Sequence, residues 1–481
     1  MTLVWTPFPR YCDAVFSLHG NDQRSPLERM DPVSASKSSR LILVDDNIRN
    51  VGGHFFELAT LLMTGAESLG YRCVMATHES FDALSSVPQS WNVLPTFQTR
   101  RMVRWSLGVD GKSTQSRDFD GRPNSGSVVD RAKAFALDWM NPPAKRPTKM
   151  VSQWANGFCN LMTQVRPTSS DSLLINTGDD FVLLALAAAL KRSPIPPMRI
   201  DVIFHFALYE NDTPNRRERL KLIGRQLQSA IKGMAPHRVC LHATTTALAA
   251  QLRETECGTS VNAISYPTRQ RLIDTPSIHF PVKAVLAGLP RAEKGSDAIS
   301  ELITGIEKTL LKSGRIRLSM QMPAQKWETM VPSSLHRSYR NAISNADSNG
   351  PLEIMTSNLS TTDYHRWLDT ADLGLFLYDP KRYVARCSGV LLEMLARGIP
   401  VIVPDRCWLA DQVRLAGGHR SIGFIYQDRS EIPELMRQFV KRRTEIQGRS
   451  IEHARVIAKR HNGQNTLQEM GLAENREQRA A

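Results

Sequence analysis

The chain has 481 residues, a formal net charge of +14, 41% hydrophobic residues and 22% charged residues. This composition is typical of globular proteins and excludes disordered and collagen-like chains, and the length suits two or three domains. The longest strongly apolar run, 181–190, has ten residues, far fewer than the ~20 that a membrane-spanning helix needs. We therefore predict no membrane-spanning helix.

The net charge and the cysteine content restrict the class of partner and the cellular compartment that we expect. The excess of Lys and Arg favours an anionic partner, which could be nucleic acid, phosphorylated substrates or an anionic membrane surface. The seven cysteines are scattered, odd in number and without a C-x-x-C pair, which disfavours a zinc site or a disulfide framework. The first residues lack the pattern of a secretory signal, so we expect a cytoplasmic protein with reduced cysteines.

The predicted elements begin after an aperiodic segment, 1–38, which we interpret as a mobile extension. An apolar run, LILV, is followed by a loop with two glycines, a helical pattern (HFFELATLLMTGAESLG) and a second apolar run, YRCVMATH. This order is typical of a strand–helix–strand unit in a parallel sheet. Residues 84–166 interrupt the alternation, and we interpret them as a variable insertion.

Alternation of strands and helices then resumes and occurs in two blocks. SLLIN, RIDVIFHF, HRVCLHA and VNAISYP are predicted strands that complete a first domain over 39–268. A linker, 269–280, precedes a second domain of alternating strands and helices over 281–430. Residues 431–481 are predicted to form helices and a tail. The sequence therefore predicts an α/β fold with two doubly wound, Rossmann-like domains that face each other across a cleft.

Two glycine-containing turns follow predicted strands, where ligands of such sheets bind. Gly52 and Gly53 precede the first helix and would let the backbone approach a ligand closely. In the loop 288–295, Arg291 and Lys294 could hold a diphosphate, the arginine with paired donors and the lysine as a point charge. The alternative to a ligand site is an ordinary tight turn at Gly52 and Gly53, and a solvated charged loop at 288–295.

A third turn combines cationic, small and acidic residues. Arg386 precedes Ser388 and Gly389, which would open a helix with unpaired amides, and Glu393 lies in that helix. An ionised carboxylate there could accept two hydrogen bonds from a vicinal diol such as a ribose. The alternative is a glutamate that is simply favoured near a helix start.

The segment that contains this turn, YVARCSGVLLEMLARGIPVIVP, resembles the nucleotide-sugar site of GT-B glycosyltransferases, near glycosyltransferase family four. DSLLINTGDDFVLLALAAALKRSPIPPMRIDVIFHF and VLAGLPRAEKGSDAISELI are similar to the acceptor-domain unit and the phosphate loop of those enzymes. The resemblance covers roughly 41–81 and 172–460. It implies transfer of a sugar from a nucleoside diphosphate sugar to a glycan or lipid-linked acceptor, as in cell-surface polysaccharide assembly.

The resemblance assigns donor-side roles to particular positions. Glu393 matches the ribose-binding glutamate of the family's pair, whereas the position of the first glutamate holds Ala385. Lys294 matches the phosphate lysine, and Arg291 lies two positions later than the family's arginine. Arg386, Ser388 and Gly389 could compensate for the missing glutamate.

In the first domain, Gly52 and Gly53 match the family's glycine loop and are assigned to donor binding, and His205, which is assigned a catalytic role, matches a histidine that often ends the following strand. The resemblance implies retention of configuration, with no metal and no other cofactor. If the enzyme inverts, it needs a general base, and Asp179 and Asp180 are the candidates.

Other signals leave alternatives open. Asp118 and Asp120 have the spacing of a metal-binding pair, but we interpret their surroundings as a loop. The basic stretch 216–225 predicts peripheral association with an anionic membrane, or only a solvated helix face. A GT-B nucleotide-sugar epimerase and a non-catalytic scaffold remain as other functions, and the absence of nucleic-acid motifs predicts no nucleic-acid partner.

Overall fold

The computed structural model describes residues 39–99, 146–210, 213, 215–273, 279–322, 327–344, 350–357 and 359–472. The predicted mobile extension 1–38 and the pair Asp118 and Asp120 lie outside the described residues, as does most of the predicted insertion 84–166.

The first sheet, which defines the first domain, has seven parallel strands in the order β3-β2-β1-β4-β5-β6-β7. Helices cover both faces of such a sheet, so its central strands are apolar throughout, and residues 41–44 are at most 1% exposed. The strands are β1 Arg40–Val44, β2 Arg72–His78, β3 Asn92–Phe97, β4 Ser172–Gly178, β5 Arg199–Phe204, β6 Arg238–Ala243 and β7 Val261–Ala263.

The second sheet, which defines the second domain, has six parallel strands in the order β10-β9-β8-β11-β12-β13. Its order reverses between β8 and β11, and ligands of doubly wound sheets bind outside the strand ends at such a point. The strands are β8 Val282–Leu286, β9 Ile316–Gln321, β10 Leu352–Met355, β11 Leu373–Leu375, β12 Val401–Pro404 and β13 Gly423–Tyr426.

Helices connect the strands and cover both sheets. Those of the first domain are α1 Gly53–Ser68, α2 Arg146–Val165, α3 Asp180–Arg192, α4 Arg216–Gly233 and α5 Thr246–Arg253. The remaining helices are α6 Ile299–Ile306, α7 Trp327–Met330, α8 His336–Ile343, α9 Thr361–Leu368, α10 Gly389–Leu395, α11 Trp408–Leu415, α12 Ile432–Arg460 and α13 Gly463–Glu469. Over the described residues, every helix falls short of the length and apolar character that crossing a bilayer would require.

The end of the described chain returns to the first domain. Arg199 on β5 donates through Nη1 to the carbonyl oxygen of Gly471 at 2.9 Å and also contacts the carbonyl oxygen of Met470. The same guanidinium pairs with the buried carboxylate of Asp201 at 2.8 Å. Buried charges need partners, and Asp201 supplies one for Arg199. The hydrogen bonds that Arg199 donates to Met470 and Gly471 fasten the chain after α13 to the first sheet and help to hold the two domains together.

The predicted α/β class with two doubly wound sheets is confirmed. The strand β3, in the segment that the sequence left unassigned, contains Pro95 and lies at the edge of its sheet. Proline cannot donate to a sheet ladder and is tolerated at an edge, which explains why the local pattern does not resemble a central strand.

Candidate functional site

A cluster of three cations lies at the carboxyl ends of the strands of the second domain. Arg291 and Lys294 follow β8, and Arg386 precedes α10. Gly288 has φ 86°, and a Cβ at this position would lie 2.7 Å from Nζ of Lys294. Glycine therefore lets the lysine fold back over the strand end. The sequence prediction placed these three residues at one site, and the structure brings them together.

The three cations of this cluster repel one another, which affects the pKa of its lysine. Burial lowers the pKa of Lys294, and the charges of Arg291 and Arg386 lower it further. Arg291 has a carboxylate neighbour in Glu293 at 3.9 Å. In the described part of the chain, no carboxylate forms an ion pair with Arg386 or Lys294. A bound anion would relieve the repulsion among the three cations.

Glu393 and Arg386 both act electrostatically on Tyr378, and a second tyrosine holds the carboxylate of Glu393. Tyr364 on α9 donates its hydroxyl to Oε2 of Glu393 at 2.7 Å. Among the described residues, none donates a hydrogen bond to Oε1. That oxygen remains able to accept a hydrogen bond from a ligand, as the predicted contact with a diol requires.

The start of α10 is organised by its own side chains. The hydroxyl of Ser388 accepts a hydrogen bond from the backbone amide of Leu391 at 3.3 Å and so caps the helix. It also hydrogen-bonds to the hydroxyl of Tyr378, whose pKa burial raises to about 12. The ring of Tyr266, from the first domain, faces Gly389. Ser388 thus positions the turn, and its hydroxyl is already engaged.

Two histidines of the first domain face the cation cluster. His54 follows Gly53 and reaches the solvent of the cleft. Desolvation by the cleft walls lowers its pKa, and His205, Arg386, Lys294 and Arg291 lower it further. The imidazole is therefore neutral at pH 7 and adds no charge to the site.

His205 is also neutral, and its hydrogen bonding defines which nitrogen carries the proton. Burial lowers its pKa to about 4, and the charge of Arg386 acts in the same direction. Nε2 lies 2.6 Å from the carbonyl oxygen of Asn176. Because a carbonyl only accepts, Nε2 carries the proton and Nδ1 is an acceptor. A pKa this low makes His205 a weak base.

The two domains meet at the residues that precede α10. The hydroxyl of Thr245 donates to the carbonyl oxygen of Ala385 at 3.2 Å. Ala385, at the position of the glutamate that the resemblance lacks, is fully buried among apolar residues of the first domain. Cζ of Arg386 lies 5.2 Å from the ring centroid of Phe206. This place in the cleft is therefore apolar where the family pattern has a carboxylate.

The aspartates after β4 lie at the start of α3. Asp179 caps this helix, because its carboxylate accepts a hydrogen bond from the amide of Val182 at 2.8 Å. Burial raises the pKa of Asp180, and the charge of Asp179 raises it further, whereas Arg219 on α4 opposes the shift. The charged side chains that act on Asp180 are thus Asp179 and Arg219, not the cation cluster.

A cavity of about 390 Å³ opens beside the glycine turn of the first domain. Gly52 and Gly53 form part of its wall with φ values of 105° and 75°. The other side chains that matter here are Arg49, Asn50, Ser80, Phe55 and Phe56. Arg49 donates through Nε to the hydroxyl of Ser80 at 3.2 Å. The volume falls within the ~300–1,000 Å³ of small-molecule sites.

A buried aspartate supports the same loop. Asp45, fully buried at the end of β1, accepts hydrogen bonds from the amide and side chain of Asn47. Its other oxygen accepts from Asn176 at 2.8 Å and from Thr177 at 3.0 Å. This carboxylate ties the loop after β1 to the end of β4 and so fixes one edge of the cleft.

The basic stretch 216–225 forms the first half of α4. Its apolar residues Leu220 and Ile223 are buried against the first domain. Arg217, Lys221 and Arg225 are exposed and spaced four residues apart, so they form one stripe on the helix. Within the described residues, none of these three forms an ion pair. The exposed side of this helix therefore presents a stripe of cations, and its apolar side packs against the first domain.

Several residues around the site were missed by the sequence analysis. Tyr364, Tyr378, His54 and Phe206 contact or surround the predicted donor residues. Of these, only His54 had a local signal, since it directly follows the glycine pair. The other three lie within a helix or just after a strand, where no local pattern marks a ligand-binding residue.

Neither a protein-family model nor a curated protein sequence matches the chain. Its fold is similar to that of sucrose-phosphate synthase from Thermosynechococcus elongatus, with 12% identity and a TM-score of 0.54 over 92% of this chain and 100% of that chain. The UDP-forming α,α-trehalose-phosphate synthase from Burkholderia vietnamiensis gives 11% identity and a TM-score of 0.54 over 92% and 99% of the two chains. Anabaena HepE in complex with UDP gives 10% identity and a TM-score of 0.51 over 90% of this chain and 98% of that chain. The chain thus has the GT-B fold, as predicted.

Proposed function

We propose that the protein is a glycosyltransferase that takes its sugar from a nucleoside diphosphate sugar. The observation that carries this proposal is the cluster of Arg291, Lys294 and Arg386, together with the carboxylate of Glu393, which acts on the same tyrosine, Tyr378, as Arg386 does. Three converging cations suit a diphosphate, and a carboxylate with an available oxygen suits a ribose. The GT-B fold of the structural neighbours, one of which is described in complex with UDP, supports the same assignment.

In this proposal the cations act on the leaving group. The bond between the anomeric carbon and the diphosphate oxygen breaks, and charge develops on that oxygen. Preorganised cations stabilise such charge where it appears. A bond forms between the anomeric carbon and the acceptor oxygen, and the acceptor proton passes to the departing diphosphate if configuration is retained. If configuration is inverted, Asp180 is the candidate base, since its raised pKa suits proton uptake near neutral pH.

We place the acceptor on the side of the first domain, at the cavity beside Gly52 and Gly53. Arg49, Asn50 and Ser80 supply hydrogen-bonding groups for hydroxyls, and two phenylalanines supply apolar faces. This mixture is typical of carbohydrate-sized ligands. A glycan or lipid-linked acceptor in polysaccharide assembly at the cytoplasmic face of a membrane is the finer proposal.

A nucleotide-binding scaffold without transferase activity is the second candidate. The observation that favours it is the buried Ala385, where the family pattern has a glutamate that touches the donor sugar. Such a protein would retain the cation cluster and Glu393 and bind nucleotides without turnover.

Calorimetry with UDP, GDP, ADP and CDP, followed by a hydrolysis and transfer assay with the matching nucleotide sugars, tests both candidates. We expect binding of at least one nucleotide and an affinity about tenfold to a hundredfold lower in Lys294→Met, since that change removes a charged contact. Lys308→Met, an exposed lysine of the second domain, is the matched control. Binding with turnover supports the transferase, and binding without turnover supports the scaffold. Absence of binding to all four nucleotides contradicts both.

A further inference from the structure

Glu393 is held at two points by side chains that the proposed function does not use, one from α9 and one from the turn after α10. Tyr364 donates its hydroxyl to Oε2 of the carboxylate at 2.7 Å. Arg397, which is fully buried, donates through Nη1 to the carbonyl oxygen of Glu393 at 2.9 Å. Burial and the charge of Glu393 raise the pKa of Tyr364 well above its ordinary value. The phenol therefore stays protonated and remains a donor at every physiological pH.

The residue after Tyr364 connects the same helix to the first domain. His365 is 4% exposed, and its Nδ1 lies 3.0 Å from Nη2 of Arg397. A guanidinium only donates, so Nδ1 accepts and the proton of the neutral ring is on Nε2. Nε2 faces Oε1 of Glu57 on α1 at 3.5 Å. Glu57 is also bound by Arg269 at 2.8 Å.

These contacts connect α1 of the first domain, through His365, to Arg397, which holds the carbonyl oxygen of Glu393, and to the neighbouring Tyr364, which holds its carboxylate. We propose that Tyr364 is a positioning residue that orients Glu393 toward a ribose diol, and that the contact of His365 with Glu57 makes this orientation depend on the first domain. With Oε2 engaged by the phenol, the rotation of the carboxylate is restricted and Oε1 is presented to the ligand. A carboxylate that is already oriented loses less conformational entropy when the diol binds.

The inference rests on the proposed function and predicts a property that general loss of stability does not alter, which is discrimination between ribose and dideoxyribose. The experiment measures Kd for the nucleoside diphosphate that the wild type binds and for its 2′,3′-dideoxy analogue. We expect the wild type to prefer the ribonucleotide, and Tyr364→Phe to lower that preference about threefold to tenfold, less than the loss of a direct contact with the diol because the phenol acts only through Glu393. Tyr339→Phe is the matched control, since that tyrosine is buried in the second domain and its hydroxyl has no partner among the described residues.

Further variants test the same role, and Glu57→Ala, which leaves Tyr364 in place, keeps the test decisive if Tyr364→Phe is poorly folded. Glu393→Gln should lower the ribose preference by itself, and adding Tyr364→Phe should lower it no further, because the phenol acts only through that carboxylate. Glu57→Ala should lower the preference in the same direction as Tyr364→Phe.

Failure of this inference can be distinguished from failure of the proposed function. Nucleotide binding with an unchanged ribose preference in Tyr364→Phe overturns the positioning role while leaving the donor site intact. An unchanged preference in Glu57→Ala overturns the dependence on the first domain. A wild type that binds no nucleoside diphosphate contradicts the proposed function itself.

Discussion

The guanidinium of Arg386 lies over the ring of Phe206, with Cζ 5.2 Å from the ring centroid, so a cation of the second domain rests on an aromatic face of the first. Arg386 also lies 5.2 Å from the ring of Tyr383 within its own domain. Two aromatic faces thus hold a cation that would otherwise be repelled by Lys294.

Phe206→Leu removes one of these faces while it keeps an apolar side chain. A cation–π contact contributes about 0.5–2 kcal/mol, so we expect the Kd of a bound nucleoside diphosphate to rise about twofold to thirtyfold. Calorimetry at fixed ionic strength measures the change, and Phe206→Tyr, which keeps the ring, should bind like the wild type. Equal affinity of the leucine variant and the wild type would show that Phe206 does not position Arg386.

Glu393→Ala should weaken nucleotide binding by about tenfold to a few hundredfold, because hydrogen bonds to a charged acceptor contribute roughly 1.5–3 kcal/mol each. The side chain is half-buried, so we expect only a small change in the midpoint of thermal unfolding. Glu301→Ala, an exposed glutamate of the second domain, is the control. Unchanged nucleotide affinity in Glu393→Ala would remove the ribose assignment.

The raised pKa of Asp180 predicts a pH dependence of stability. The folded state holds this proton more tightly than the unfolded state, so wild-type stability falls as pH rises from about 4, the ordinary pKa of aspartate, toward the higher folded pKa. Asp180→Asn removes that loss. We expect the variant to unfold at a higher temperature than the wild type at pH 8, and the difference to shrink at pH 4. A difference that is the same at both pH values would contradict the raised pKa.

We propose that the cation cluster does the work for which other enzymes use a divalent ion. Sugar transfer should therefore continue at an unchanged rate in excess EDTA, measured with the nucleotide sugar identified by binding. If EDTA abolished transfer and magnesium or manganese restored it, the cation mechanism would be wrong. Asp118 and Asp120, which lie outside the described residues, would then be the first candidates for metal ligands.

The exposed stripe Arg217, Lys221 and Arg225 should bind anionic vesicles, since a basic residue near such a surface contributes about 1 kcal/mol. Replacing all three with glutamine should lower vesicle binding by up to about a hundredfold at low salt. Replacing the exposed Lys441, Arg455 and Lys459 of α12 removes the same charge elsewhere and should have less effect. Sedimentation with phosphatidylserine and phosphatidylcholine vesicles measures this. Equal binding to both vesicle types at low salt would exclude the membrane contact.

Much of the fold could be predicted from the sequence because the signal is local. The buried run 41–44 and the helical pattern after Gly52 and Gly53 each lie within a short segment, and their periodicity reflects burial on one face or both. The cap formed by Asp179 has an equally local signal, an aspartate before an apolar helix, although we predicted Asp179 only as a candidate base. The sequence thus determined the two sheets and the strand ends at which a ligand would bind.

The tertiary structure alone decided which side chains meet across those strand ends. Thr245 and Ala385 are 140 positions apart, and Tyr364 and Glu393 lie on different helices of the second domain. No spacing rule connects such residues, because their contacts depend on how sheets and helices pack in three dimensions. The same holds for the pKa shift of Lys294, which arises from its partial burial and from charges brought together by folding. Sequence periodicity records burial along one element, whereas the chemistry of this site depends on distances between elements.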